Sequence, residues 1–175
     1  MRKFKLNIKG LERELSIVTT HTNNKIAFLD VIGDTELISH SAQEICKIIP
    51  LDTEIIIAPE TGGIILAHKI SELCHIKYLG IRKKIKPNMI EPLEINLQTI
   101  GTKEGQKFYF GQNEIMKIKG RKVIIVDEII STGGTVIALE KLIEKAGGIL
   151  IGKFCIATEG IERKDVQSLC HLPLL

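Results

Sequence analysis

From Gly33 onward the chain alternates two kinds of apolar pattern. Compact apolar runs rich in β-branched residues stand at Glu54–Ala58, Ile76–Ile81, Val123–Val126 and Ile149–Ala157, and such runs read as strands buried on both faces. Between them, apolar residues return at helical spacing. Leu37, Ile38, Ile45, Ile48 and Ile49 follow the N-cap candidate Asp34 and end at Pro50; Gly63–Leu73 and Gly134–Ala146 repeat the pattern. This alternation predicts an α/β fold, a parallel sheet flanked by helices, whose ligands bind beyond the carboxyl ends of the strands.

Residues 1–33 follow another rule. Phe4–Ile8 alternates apolar and polar positions, Lys9-Gly10 offers a turn, and Leu15–Val18 and Ile26–Leu29 are further short strand candidates. They predict an antiparallel accessory layer, a hood, that either completes the core or contributes to substrate choice. Between Lys86 and Gly120 the helical pattern lapses. Pro87 and Pro92 break it, Leu93–Leu97 alternates like a strand, and Lys107–Phe110 can pair back across Gly101–Gly105. The expectation is a hairpin at the rim, a flexible lid over 87–111 that excludes water from reactants, or an excursion packed on a partner subunit. With no repeat and no linker, the 175 residues form a single domain, 1–175.

Composition excludes more than it identifies. Hydrophobic residues are 44%, charged residues 26% and the net charge is +3, too mild a balance to indicate nucleic acid or membrane. No apolar run approaches the roughly 20 residues that cross a bilayer, and the N-terminus does not read as a signal peptide. Cys46, Cys74, Cys155 and Cys170 lie far apart with no C-x-x-C, so reduced, mostly buried thiols in a cytoplasm are expected rather than zinc or a redox pair. His21, His40, His68, His75 and His171 fall outside the rim.

The chemistry concentrates after one strand. Val123–Val126 leads into Asp127 and Glu128, then Ser131-Thr132-Gly133-Gly134-Thr135, then a helix. The first-turn N–H groups of a helix have no intrahelical partner, and its dipole adds partial positive charge there. Glycines allow close backbone approach and hydroxyls donate further bonds, so this turn is a phosphate cradle. The carboxylates only accept hydrogen bonds and must face another part of the ligand, as the vicinal hydroxyls of a sugar phosphate would allow. A nucleoside triphosphate loop is excluded because no lysine lies between Lys122 and Lys141, and the dinucleotide fingerprint G-x-G-x-x-G is absent.

Two more strand ends share that rim. Pro59-Glu60-Thr61-Gly62-Gly63 is a second glycine-bearing turn feeding a helix, equally readable as a plain loop until it is set beside the first. Ile81-Arg82-Lys83-Lys84-Ile85-Lys86 brings cations that could offset charge on a departing anion.

The string Val123–Thr135 resembles the ribose-phosphate signature of the type I phosphoribosyltransferases. Arg82-Lys83-Lys84, Gly33–Leu37 and the terminal Leu172–Leu175 resemble the members grouped with adenine phosphoribosyltransferase. The resemblance implies that Asp127 and Glu128 are the catalytic pair, binding the ribose hydroxyls of phosphoribosyl pyrophosphate. It further implies that Ser131, Thr132, Gly133, Gly134 and Thr135 hold its 5′-phosphate. Glu60, Thr61, Gly62, Arg82 and Lys83 would hold the pyrophosphate, with a non-proline cis peptide near Glu60-Thr61 and with Lys84 and Lys86 as outer candidates. Mg²⁺ is the implied cofactor, held through substrate and water, with Asp127 its one candidate protein ligand. A homodimer is the implied assembly. Glu159 and Arg163 are candidates to line a base pocket. The chain departs from adenine enzymes in having Gly62 where they usually carry Arg, and in lacking their Glu-Tyr-Gly lid pattern. The implied reaction joins a purine base, adenine foremost, to phosphoribosyl pyrophosphate in purine salvage. Hypoxanthine, guanine or xanthine as the base, and a non-catalytic sensor of phosphoribosyl pyrophosphate or nucleotide, stay open beside it.

Overall fold

The structure is a computed structural model that describes residues 3–20, 23–97, 106–161 and 163–175. An antiparallel sheet of β1 (Lys3–Ile8), β2 (Leu11–Thr19) and β3 (Lys25–Phe28) comes first, followed by α1 (Thr35–Cys46). The alternating part then runs β4 (Ile55–Pro59), α2 (Gly62–Cys74) and β5 (Lys77–Ile81). The hairpin β6 (Leu93–Leu97) and β7 (Gln106–Phe110) and the short α3 (Gln112–Ile118) intervene before β8 (Lys122–Ile130), α4 (Gly134–Lys145), β9 (Ile149–Glu159) and β10 (Gln167–Leu172). The main sheet has the order β10-β9-β8-β4-β5, and every neighbouring pair in it is parallel.

The unbroken apolar runs find their reason in this sheet. Ile56 and Ala58 of β4 and Ile124 and Val126 of β8 pack on one face with α1, α2 and the N-terminal sheet. Ile55, Ile57, Val123 and Ile125 pack on the other with α4 and the β6–β7 hairpin. Both faces are dry, so both parities of each strand are apolar. Burying one such isoleucine contributes about 1.5–3 kcal/mol.

Four differences from the sequence reading have physical causes. β8 continues through Ile130, so Asp127 and Glu128 lie within the strand rather than beyond its end. Val126 and Ile129 nevertheless pack into the same cluster three positions apart, which breaks the regular alternation at the two carboxylates. α3 and β10 are additional elements; seven residues of α3 are too short to establish a period. The bodies of β6 and β7 are core rather than cover, with Ile95 6% exposed and Phe108 and Phe110 fully buried. The expected turn of that lid, Gly101–Gly105, lies outside the described residues, as does His21. Finally, Cys46 and Cys74, closing α1 and α2, form a disulfide with Cα atoms 6.6 Å apart. This corrects the expectation of four separate thiols: the pairing is set by how the two helices stack, and their spacing of 28 residues carries no sign of it. Cys155 stays a buried thiol, and burial pushes Cys170 up to about 11.

The N-terminal sheet is tied to α1 through one side chain. Arg13 of β2 donates to both Asp34 oxygens at 2.8 and 3.0 Å and to Glu36 at 2.7 Å. Asp34 also accepts from the Leu37 N–H at 2.9 Å, making it the N-cap of α1. The Arg13 guanidinium first, and then the Leu37 N–H, hold the Asp34 carboxyl below its usual range against the opposing effect of burial. Asp34→Ala should cost about 1 kcal/mol in urea denaturation at neutral pH, because cap and partly exposed ion pair go together. A carboxyl depressed in the fold stabilises above its unfolded pKa, so the gap between variant and wild type should close as pH falls below about 4.

Candidate active site

β4 and β8 are neighbours and parallel, so the helices after them, α2 and α4, begin on the same rim. Neither start is capped by its own residues. α2 begins at Thr61 and α4 at Gly133 with no side-chain cap bond and no acidic residue in the first turn. α1 differs on both counts, having Asp34 as cap and Glu36 in its first turn. The structural helix is closed by its own carboxylates, whereas the two rim helices are not capped by residues of their own first turns.

Each rim turn is shaped by glycine. Gly133 sits at φ +79°, in the left-handed region, and its carbonyl accepts from Ile137 N–H at 2.9 Å to start α4. Asp127 and Ile129–Val136 enclose a cavity of about 50 Å³ over this turn. Ser131, Gly134 and Thr135 are half-buried and Thr132 is exposed, so the expected phosphate group lies together on one loop. At the other turn the Glu60–Thr61 peptide is cis, where the sequence reading put it.

The acidic pair joins the two turns. Asp127 is 6% exposed, and its Oδ1 accepts from the Glu128 N–H at 2.9 Å. Burial first, and then the neighbouring Glu128, hold the Asp127 carboxyl well above its usual range, while the Glu128 N–H and Lys83 oppose that shift. Glu128 does not reach toward the α4 cradle; its carboxyl lies over Gly62. A Cβ placed on Gly62 would meet the Glu128 carboxyl carbon at 2.5 Å. Gly62 is therefore more than a missing arginine, since a side chain there and Glu128 in this position exclude one another. Glu128 Oε2 is buried with no hydrogen-bond partner, an orphaned acceptor facing the rim.

The basic strand end is anchored rather than loose. Glu60 accepts from the Lys83 N–H at 2.7 Å and pairs with Arg82 at 3.5 Å. Glu60 thus ties Arg82 and the Lys83 backbone beside the Thr61-Gly62 turn, so the five residues expected at the pyrophosphate end stand together. Arg82 is fixed further by paired backbone bonds with Tyr109 at 2.8 and 3.4 Å. Lys84 is exposed, and Lys86 lines, with Arg82, a separate cavity of about 380 Å³ beside β7.

Arg163, a base-pocket candidate from the sequence, makes contacts at the phosphate turn that no local pattern announces. Arg163 lies against Gly133, its guanidinium filling the place a Cβ would take, and it donates to the Thr132 carbonyl at 3.3 Å. It is braced by Asp165 at 2.8 Å, which is held by Lys153 at 2.6 Å, which in turn reaches Glu140 of α4 at 2.6 Å. The four residues come from three separate stretches of chain, so no local pattern announces them. Glu159 ends β9 beside a second cavity of about 380 Å³ that shares Ser131 and Thr132 with the phosphate turn. His40, His68, His75 and His171 are all away from the rim turns; His171, for example, pairs with Thr158 at 3.0 Å.

Known proteins share the sequence pattern and the fold. The family described as "Phosphoribosyl transferase domain" matches residues 32–171. A hypoxanthine/guanine phosphoribosyltransferase of Methanothermococcus okinawensis is 34% identical over 134 residues, 77% of this chain and 69% of its own. An adenine phosphoribosyltransferase of Petrotoga mobilis is 27% identical over 162 residues, 87% of either chain. The crystal structure of adenine phosphoribosyltransferase from Thermoanaerobacter pseudethanolicus shares the fold, with a TM-score of 0.73 over 90% of this chain and 95% of that one at 20% identity.

The two rim glycines of α2 should respond differently to alanine. At Gly63 the new methyl would meet the Pro59 ring at 2.9 Å, Asp127 Oδ1 at 2.9 Å and the Val126 carbonyl at 3.2 Å, groups that cannot swing aside. Gly63→Ala should lose about 1–3 kcal/mol in urea denaturation. Gly62→Ala should lose clearly less, because the Glu128 carboxyl is the free end of a flexible side chain.

Proposed function

The chain belongs to the phosphoribosyltransferase family, and on that premise we propose that it transfers the phosphoribosyl group of phosphoribosyl pyrophosphate to a purine base. The products are a nucleoside 5′-monophosphate and pyrophosphate, as in purine salvage. The observation that carries this reading is the pair of helix starts on one rim, neither capped by its own residues, with two carboxylates between them. Two anion cradles separated by hydrogen-bond acceptors match a sugar that bears a phosphate at one end and a pyrophosphate at the other.

Ser131–Thr135 would take the 5′-phosphate, with backbone N–H groups and hydroxyls donating. Asp127 and Glu128 would accept from the ribose hydroxyls. The α2 turn at Thr61-Gly62, with Arg82 and Lys83, would take the pyrophosphate. In the reaction the bond from the anomeric carbon to the pyrophosphate oxygen breaks, the bond to a ring nitrogen of the base forms, and the nitrogen's proton leaves. Positive charge builds on the sugar as the leaving group departs, as in glycoside hydrolysis. The acidic pair offsets that charge, and Arg82 and Lys83 offset the negative charge on pyrophosphate. The remaining work is alignment.

A divalent cation fits these residues. The orphaned Glu128 Oε2 and the adjacent Asp127 are hard oxygen donors. Such an ion would complete its coordination with substrate oxygens and water. Mg²⁺ bound there would supply positive charge at the pyrophosphate.

Adenine is the base we favour, in line with the names of the Petrotoga and Thermoanaerobacter relatives. No described helix is long and apolar enough to cross a membrane. A cytoplasmic homodimer without nucleic acid completes the reading, a symmetric pair being the commonest closed assembly. The test is pyrophosphate release from phosphoribosyl pyrophosphate and Mg²⁺ with adenine, hypoxanthine, guanine or xanthine supplied singly. Release with adenine is expected, reduced roughly 100-fold or more in Asp127→Asn/Glu128→Gln. Absence of release with every base, alongside binding of phosphoribosyl pyrophosphate, would make the chain a sensor.

A further inference from the structure

The cavity beside the phosphate turn has the size and composition of a small-molecule site. It encloses about 380 Å³ between the N-terminal sheet, the end of β9 and the C-terminal segment, within the roughly 300–1,000 Å³ usual for ligand pockets. Ile26, Ile161 and Leu174 give it apolar walls, and Ser131 and Thr132 open it onto the phosphate cradle. Two charged side chains face it, Glu159 and Arg163. Arg163 is already committed to Asp165 and to the Thr132 carbonyl. Glu159 is half-buried, and among the described residues no donor engages its carboxylate; burial alone raises its pKa.

We propose that Glu159 selects the base, accepting a hydrogen bond from the exocyclic amino group at C6 and turning away purines that carry oxygen there. The inference rests on the phosphoribosyltransferase reading and goes beyond it by naming the group that tells one purine from another. An ionised carboxylate only accepts hydrogen bonds. Facing a 6-amino group it gains a charge-assisted bond, whereas facing a 6-oxo group it sets two acceptors against each other. Such a site works as much by rejection as by attraction. Adenine then enters with its amino group toward Glu159 while the nucleotide's phosphate occupies Ser131–Thr135. The N-terminal sheet supplies a wall through Ile26, which turns the hood from core filler into part of the pocket.

The test uses two nucleotides that differ at C6, AMP and IMP, titrated calorimetrically at mildly alkaline pH into the full-length protein and into Glu159→Gln. The glutamine keeps shape and volume and both donates and accepts, and Glu159 has no described ion pair to lose, so folding should be preserved. Wild type should bind AMP roughly 10- to 100-fold more tightly than IMP, the worth of one hydrogen bond to a charged group. Glu159→Gln should bring that ratio to within about threefold, mostly by improving IMP. A ratio unchanged by Glu159→Gln would overturn the proposal, as would a wild type that prefers IMP or binds neither nucleotide. The enzymatic reading is judged separately, because AMP selectivity that depends on Glu159 without pyrophosphate release would leave this inference standing and sink the catalytic one.

Discussion

The rim of this molecule depends on how two helices begin. β4 and β8 lie side by side and run the same way, so α2 and α4 start within one shared edge, each without a side-chain cap from its own N-cap residue and without an acidic residue of its own first turn. The acids that would have closed those ends stand instead on β8, as Asp127 and Glu128. There they serve the space between the turns, with Asp127 lining the α4 cradle and Glu128 lying over Gly62 of α2. Everything else at the rim is arranged around that division, from Glu60 holding the basic strand end to Arg163 braced against Gly133.

The sheet supplies the rigidity this arrangement needs. The break in alternation between Val126 and Ile129 occurs at the two carboxylates and is flanked by fully buried apolar residues on both faces. A buried, partly desolvated acidic pair costs free energy unless a ligand or cation completes it. The raised pKa of Asp127 and the orphaned oxygen of Glu128 express that cost at one place.

Much of this was legible in the sequence because the relevant physics is local. A run such as Val123–Val126 has to be a doubly buried strand, Asp34 has to cap the helix after it, and Ser131–Thr135 ahead of helical spacing has to present N–H groups. The features that escaped depend on contacts between distant stretches. The Cys46–Cys74 pair needs the stacking of α1 on α2, and Arg163 needs Lys153 and Glu140 to hold Asp165. The expected hairpin is present, with β6 and β7 paired antiparallel. Their alternating residues face α4 and the core, where a sequence pattern cannot tell a cover from a layer.

The most direct measurement of the two-cradle arrangement asks whether ribose 5-phosphate and pyrophosphate occupy the protein together. Each would be titrated in the presence of Mg²⁺ into free protein and into protein saturated with the other, in wild type, Thr132→Val and Lys83→Ala. Independent cradles predict that each ligand binds with the other present. They also predict that Thr132→Val weakens ribose 5-phosphate alone and Lys83→Ala weakens pyrophosphate alone. Mutual displacement, or variants that weaken both ligands alike, would mean a single anion site and contradict the two-cradle arrangement.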